Sequence, residues 1–534
     1  MTPASPTPLP RLVAALAVAA VVGLGLALRW TTPAAVADLR PRPDALEYEE
    51  GARHLARGDG YWLEIAGGRY PPRYPIGFSA LLVPAFWVAG DAPGTGIVVV
   101  LASAAVAIAA TIGLGATAGG LPVGLAAGLL LALAPLHVRW SQAVMADVPT
   151  TTAVALLAWW GLVLLARRDA TAGWAGLGVC AALAASIRPV AAAVVLPLAT
   201  MLAVRGAIRP LAALCAGAAL GLVPSLAFAW QRFGTPFGSG YGYWVIARFF
   251  APGFVTGLPD GGGTMPNGVF YLRELLGLGR LYPPPTAILV ALGTVLALRT
   301  AGGPRRLLAL AAGVLVVLLA LHLPFFWQWD RFLLPALPLC CALAAMPLRA
   351  GGPAALRAAA VVLVVAAAAW PLRTPGAFAA PDPDRQEVAA LRIVAATVEP
   401  NAVVVARTHP FLFDRLVHRG TDRLWVPVGQ CEHCATIARW RLRPSGPAAD
   451  DGRWMLPAID VPFDADAVAQ TLAAIAATGR PVYYAPLLDP HLPPEPALAH
   501  LLDVRFQPLL ADPGQRIALY RLTPPRPPAP APGG

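Results

Sequence analysis

The sequence predicts a polytopic α-helical membrane protein with a C-terminal water-soluble α/β domain. Three observations predict it. Hydrophobic residues make up 57% of the 534-residue chain and charged residues only 13%, where a soluble domain averages roughly 25% charged. Apolar segments recur from residue 11 to residue 372. Beyond residue 373 the pattern becomes short β-branched runs alternating with amphipathic stretches, the signature of a small α/β unit. An ordinary soluble enzyme is excluded.

Residues 1–10 are a Pro-rich tail. Residues 11–29 form the first membrane helix. Ala35-Val36-Ala37 resembles a signal-peptidase site, but the apolar run before it exceeds the usual ~7–15 residues of a signal peptide, so a retained helix fits better. Residues 31–75 are polar. Apolar segments follow at 76–90, 96–118, 121–138, 148–166, 171–187, 190–204, 210–230, 285–299, 306–326, 332–347 and 354–372. Several fall short of the ~20 residues a span needs, so about 11–13 transmembrane helices are expected within residues 11–372.

Arginines set the orientation. Arg167 and Arg168, Arg205 and Arg209, Arg299 with Arg305 and Arg306, and Arg349 with Arg357 fall at every second connection. With those inside, the loops 31–75 and 231–283, Asp147, Arg188, Arg331 and everything after residue 372 lie outside. Parity is then violated once. Three apolar segments separate the first loop from Asp147 where an even number is required, and 76–90 is the shortest.

Residues 373–522 are expected to form an extracytoplasmic α/β domain with a partly parallel sheet. Helices are read at Asp382–Val398 and Asp464–Thr478, and strands at Asn401–Ala406, Leu424–Val428, Pro481–Ala485 and Arg516–Leu522. Residues 523–534 are a disordered Pro-rich tail. No repeat of 20–50 residues is present.

The net charge is +11, yet the arginines are scattered between apolar runs without a clustered stripe, so no nucleic-acid partner is expected. All 40 basic residues are Arg; a P-loop lysine and Schiff-base chemistry are excluded. Cys180, Cys215, Cys340 and Cys341 lie in apolar runs. Cys431-Glu-His433-Cys434 offers too few ligands for a structural zinc site and reads as an oxidised pair outside the cytoplasm. His409 and His418 read as surface residues of the soluble domain.

The first outside loop carries the most chemistry. Pro43-Asp44 suits a helix start, and Glu47 and Tyr48 share one helical face with Asp44. The helix reads as amphipathic, lying at the membrane surface. Tyr70-Pro-Pro-Arg73-Tyr74-Pro75 then fixes an extended path into the next segment, and Arg73 can grip an anion through its fork. Met145-Ala-Asp147-Val-Pro149 is a second acidic point at the outer start of a span. Arg188-Pro189 and Trp329-Asp330-Arg331-Phe332-Leu-Leu-Pro335 mark two further outer ends. Asp44 and Asp147 also admit a two-carboxylate hydrolase reading.

The order D-x-x-x-Y, A-x-x-L-x-x-G, Y-P-P-x-Y-P, M-A-D-V-P, R-P at 188, F-G-x-P-x-x-x-G-Y at 233–241 and R-F-L-L-P at 331–335 resembles the GT-C-fold membrane glycosyltransferases. That group includes the protein O-mannosyltransferases, the lipid A aminoarabinose transferases and the RgtA/B/C/D-like enzymes. The resemblance covers roughly residues 10–372 and implies a GT-C-like fold. It implies an inverting glycosyltransferase moving a hexosyl or pentosyl group from a polyprenyl-phosphate-linked donor to a lipid, glycan or protein acceptor. The implied place is the bacterial inner membrane, with the active site outside. It implies Asp44 as catalytic base and Arg331 as first candidate to stabilise the phosphate leaving group, with Arg73 and Arg188 behind it. Glu47, Tyr48 and Tyr74 would orient the sugar. Asp147 would assist Asp44 or hold a divalent cation; the single acid at 44, in place of a doublet, leaves metal use open. The alternative is a transporter or flippase of a lipid-linked glycan. The charges sit at span ends and not at mid-membrane, which favours the transferase.

Overall fold

The computed structural model describes residues 11–31, 43–65, 68–90, 92, 94–167, 170–241, 249–259, 263–349, 353–380, 385–406, 408, 410–427, 474–485, 506–512 and 517–522. Cys431, His433, Cys434 and His409 lie outside them, as do Arg168 and Ala35-Val36-Ala37.

The membrane part comprises α1 (Arg11–Arg29), α2 (Pro43–Arg57), the hairpin β1 (Leu63–Ile65) and β2 (Gly68–Tyr70), α3 (Ile76–Ala89), α4 (Ile97–Gly119), α5 (Leu121–Ala132), α6 (Pro135–Trp140), α7 (Asp147–Leu165), α8 (Thr171–Ala185), a 3₁₀ turn Pro189–Val194 leading into α9 (Val195–Val204), α10 (Ile208–Phe233), α11 (Asn267–Leu275), α12 (Pro284–Arg299), α13 (Gly303–His322), a 3₁₀ turn Asp330–Ala336 leading into α14 (Leu337–Ala345), and α15 (Ala354–Arg373). Seven of these segments are long and apolar enough to cross a membrane. Four shorter apolar ones (α5, α8, Pro189–Val204 and α12) fill the same bundle, giving eleven passes among the described residues. The loop read at 231–283 begins three residues later, at 234, because α10 runs to Phe233, and it contains α11.

Small residues set the packing directions. Gly115 meets Gly124 and Gly128 meets Ile112, so α4 and α5 form an antiparallel hairpin. Gly25 of α1 meets Ala132 at the end of α5, so those two run the same way. The Thr152 hydroxyl bonds the Ser103 carbonyl and the Trp159 indole bonds Thr117, so α7 runs with α4. Gly178 against Leu214 and Gly221 against Val179 make α8 and α10 parallel. Arg29, fully buried at the end of α1, donates to the carbonyls of Leu131 and Ala132 and to Ser141. The end of α1, the end of α5 and the start of α7 therefore share one face.

This arrangement resolves the parity violation. α3 does not cross. Its start is tied to α2 by the Ser79 hydroxyl on the Tyr48 carbonyl, and its end by the Trp87 indole on the Ala56 carbonyl. The Glu49 carboxylate then accepts from the amides of Gly94 and Gly96 at the start of α4. Both ends of α3 thus lie beside α2, on the face where α7 begins. In a cysteine-free background, Asp59→Cys and Ala92→Cys are expected to react with an impermeant maleimide from one side and Ala301→Cys from the other. Labelling of positions 59 and 92 from opposite sides would mean that α3 crosses.

The soluble domain holds α16 (Arg385–Thr397), β3 (Val403–Ala406), α17 (Pro410–Phe413), β4 (Leu424–Pro427), β5 (Val482–Ala485), β6 (Phe506–Asp512) and β7 (Ile517–Leu522). The sheet order is β4-β3-β5-β7-β6. β3 is parallel to β4 and β5, and β7 is antiparallel to β5 and β6. The sequence reading missed β6 and the β1–β2 hairpin. The domain's core also takes in Leu46, Leu63, Ile65 and Tyr70 from the first loop. Consequently α2 is not a surface helix: residues 45–54 are all buried, charged ones included. Its covering comes from α3 on one side and the distant C-terminal domain on the other.

Candidate active site

Residues from five separate segments meet under this covering. Asp44 lies in the first turn of α2, with Glu47 and Tyr48 one turn on. Arg73 reaches across from the Pro-rich segment, with Nη2 2.8 Å from Asp44 Oδ1 and 2.6 Å from Glu47 Oε1. Asp147 opens α7 and its Oδ1 is 2.6 Å from Arg188 Nη1. Arg331 stands between the two aspartates, 3.7 Å from Asp44 Oδ2 and 3.7 Å from Asp147 Oδ2. The order is Glu47–Arg73–Asp44–Arg331–Asp147–Arg188, with acid and base alternating throughout.

Two close backbone approaches make this meeting possible. The Gly77 amide donates to the Ser186 carbonyl at 2.8 Å, two residues before Arg188. A Cβ on Gly77 would lie 2.6 Å from the Ile187 nitrogen, and one on Gly240 would lie 2.6 Å from Arg73 Cα. Only glycine lets these strands of chain touch. The approach at Gly240 delivers Tyr241, whose ring meets Tyr74 edge-on at 5.6 Å. Tyr74 in turn stacks on Tyr48 at 4.6 Å and carries the Arg73 guanidinium at 4.6 Å. All eight residues singled out from the sequence therefore lie in one assembly.

The electrostatics differ from group to group. Burial pushes the Asp44 carboxyl up, but Arg73, Arg331, the Tyr74 hydroxyl and Arg188 outweigh it and hold it at about 2. Asp44 is a carboxylate at any working pH. Burial dominates at Glu47, lifting it to about 8 against the pull of Arg73. Near neutrality the six groups thus carry three positive and two negative charges, a surplus that suits an anion.

Arg331 is the group with capacity to spare. Its contacts to both aspartates are longer than a hydrogen bond, and its Nε and Nη1 have no hydrogen-bond partner among the described residues. Its guanidinium lies over the Trp140 ring at 4.7 Å and the Trp329 ring at 5.1 Å, so it is held by stacking while its donors stay open. Trp140 was missed by the sequence reading, because within an apolar run it is indistinguishable from core. The same geometry argues against a cation bridging Asp44 and Asp147, since a guanidinium occupies the space between them.

Two cavities flank the assembly. A polar one of about 420 Å³ lies beyond Trp140 and Trp329 and is lined by Arg139, Arg273, Arg280 and Asp330. An apolar groove of about 650 Å³ runs between α3, α4 and α7 and reaches Pro149 and Ile187, next to the Asp147–Arg188 pair.

No family model and no curated protein matches the chain. Solved structures do. ArnT from Cupriavidus metallidurans in the apo state matches with a TM-score of 0.62 at 13% identity, over 96% of this chain and 98% of that one. The same protein bound to undecaprenyl phosphate matches at 0.55 and 13%, over 96% and 97%. The Archaeoglobus fulgidus oligosaccharyltransferase in the apo form matches at 0.50 and 11%, over 88% and 69%. The chain has the GT-C fold, from the first membrane helix through the C-terminal domain.

Proposed function

We propose that the protein is an inverting glycosyltransferase that moves a sugar from a polyprenyl-phosphate-linked donor to an acceptor hydroxyl or amine on the extracytoplasmic face of a bacterial inner membrane. The observation that carries this reading is Arg331, its donors open between two carboxylates. A transferase outside the cytoplasm needs a donor that arrives through lipid. Sugar on a polyprenyl phosphate meets that need, and the apolar groove beside Asp147 and Arg188 offers its tail a path.

In this reading Asp44 accepts the acceptor proton while the acceptor atom attacks the anomeric carbon from the face opposite the phosphate. The carbon–oxygen bond to phosphate breaks, and its electron pair stays on the leaving polyprenyl phosphate. Arg331 stabilises the charge that develops there, with Arg73 and Arg188 supporting the field. Tyr48 and Tyr74 supply the aromatic wall against which a sugar ring packs. The test is release of free polyprenyl phosphate from a panel of radiolabelled polyprenyl-phosphate sugars, in nanodiscs supplied with native membrane acceptors. Release by the wild type that depends on Asp44 supports the reading and names the sugar. Absence of any Asp44-dependent release across the panel would overturn it.

A pH dependence follows from Glu47. Below about 8 it is protonated, and the cluster keeps its positive surplus. As pH rises through about 8 a third carboxylate forms beside Arg73 and the surplus vanishes. Affinity for polyprenyl phosphate is therefore expected to fall above pH 8 in the wild type. Glu47→Gln, which cannot ionise, should stay flat between pH 7 and 9. The phosphate does not confound the comparison, because its second ionisation, near pH ~6, is complete by then. A wild-type curve that is flat to pH 9 would refute the role of Glu47.

A further inference from the structure

Two turns beyond Asp44, α2 carries a second polar cluster that the transfer reaction does not use. Glu50 and His54 lie one turn apart on the helix, and Glu64 projects from the middle of β1. One ligand atom from each lies within 4.8 Å of the others. His54 is the informative member. It is 3% exposed, and neither ring nitrogen has a hydrogen-bond partner among the described residues.

The distances suit coordination better than hydrogen bonding. His54 Nε2 is 3.4 Å from Glu50 Oε1, long for a hydrogen bond but close to the edge of a tetrahedron with bonds of about 2.1 Å. The other nitrogen, Nδ1, faces Asp59 Oδ2 at 3.6 Å. That distance is beyond a hydrogen bond, but a carboxylate on this side of the ring stands where the outer support of a metal-bound imidazole stands once it closes by about half an ångström. The ring is also locked. It stacks on Trp62 at 3.5 Å, and the Arg69 guanidinium lies over Trp62 at 4.4 Å. Arg53 pairs with Glu50 Oε2, which fixes that carboxylate and leaves Oε1 facing the imidazole.

We propose that Glu50, His54 and Glu64 bind one divalent transition-metal ion. Zn²⁺ fits this set of one imidazole and two carboxylates best, with water completing the shell. The ion would rivet β1 to the helix that carries Asp44, outside the reacting centre. The competing arrangement is His54 held between Glu50 and Asp59 without metal.

The test uses the purified full-length chain, stripped with chelator and dialysed, in a Cys431→Ser/Cys434→Ser background that removes the other candidate zinc ligands. Titration with ZnCl₂, read by calorimetry and by elemental analysis, is expected to give one Zn²⁺ per chain. Co²⁺ should give the visible bands of a four-coordinate site, and Zn²⁺ should raise Tm. His54→Ala and Glu64→Gln should each abolish stoichiometric binding and the Tm response, while Asp44→Asn keeps both. Glu64 is half-buried on a short hairpin, so its variant guards against loss of folding. Absence of stoichiometric Zn²⁺ or Co²⁺ binding, or binding unchanged in both variants, would overturn the proposal and leave His54 as a packed residue between two carboxylates.

Discussion

Replacing Asp44 by Asn is expected to slow sugar transfer by roughly 10²–10⁴-fold, the contribution of a positioned general base. Asn has the same shape and still offers an oxygen to Arg73, now 2.8 Å from the carboxylate. What it loses is the ability to take a proton. Asp44 is held at about 2 in the free protein, which makes it a weak base towards a resting hydroxyl. The donor changes this. A phosphate that engages Arg331 competes for one of the three cations that hold Asp44 down, so donor binding raises its proton affinity as attack begins. Burst kinetics and binding separate the two roles. Asp44→Asn should bind polyprenyl phosphate at least as tightly as wild type, because one negative charge is gone, while its single-turnover rate collapses. Equal single-turnover rates would remove Asp44 from the chemistry. Loss of binding together with a lowered Tm would assign it to holding the cluster, since breaking a buried ion pair commonly costs about 3–5 kcal/mol.

Much of this site is legible from sequence because lipid is an exacting solvent. A charge in a chain this apolar must sit at a span end or in a pocket of opposite charge, so Asp147, Arg188 and Arg331 stand out against their surroundings. The limits of α1 can be read for the same reason. Other features leave no local trace. The apolar run at 76–89 reads like a span, because composition does not distinguish a helix that crosses from one clamped beneath a covering domain. α2 looks amphipathic because part of its covering comes from α17, more than three hundred positions away, while its Leu46 joins the core of the C-terminal domain. Trp140 has no signal at all: its value lies in the guanidinium stacked on it. Glu50, His54 and Glu64 are equally silent, since the hairpin that brings Glu64 back is only three residues a side.

Arg331→Lys is expected to lower kcat by roughly 10²–10³-fold, the effect of removing one donor that meets developing charge, even though the net charge is kept. The reason lies in how the side chain is held. A guanidinium can lie flat between Trp140 and Trp329 at 4.7 and 5.1 Å and still direct its edge at a phosphate. An ammonium is a compact, strongly hydrated point charge with no plane to stack, and it would settle on one aspartate. The split between KM and kcat distinguishes this from simple electrostatics. If Arg331 mattered only as a charge that attracts the donor, Lys would be almost neutral and Met would raise KM. If it stabilises the leaving phosphate, Lys and Met should both lower kcat, with a far smaller change in KM. Free guanidinium added to Arg331→Ala offers the sharpest discrimination. It can occupy the vacated space between Asp44, Asp147 and the two indoles, and partial recovery of turnover with unchanged Tm would mark a reacting group. Recovery of Tm without turnover would instead make Arg331 a clamp that merely keeps the two carboxylates apart.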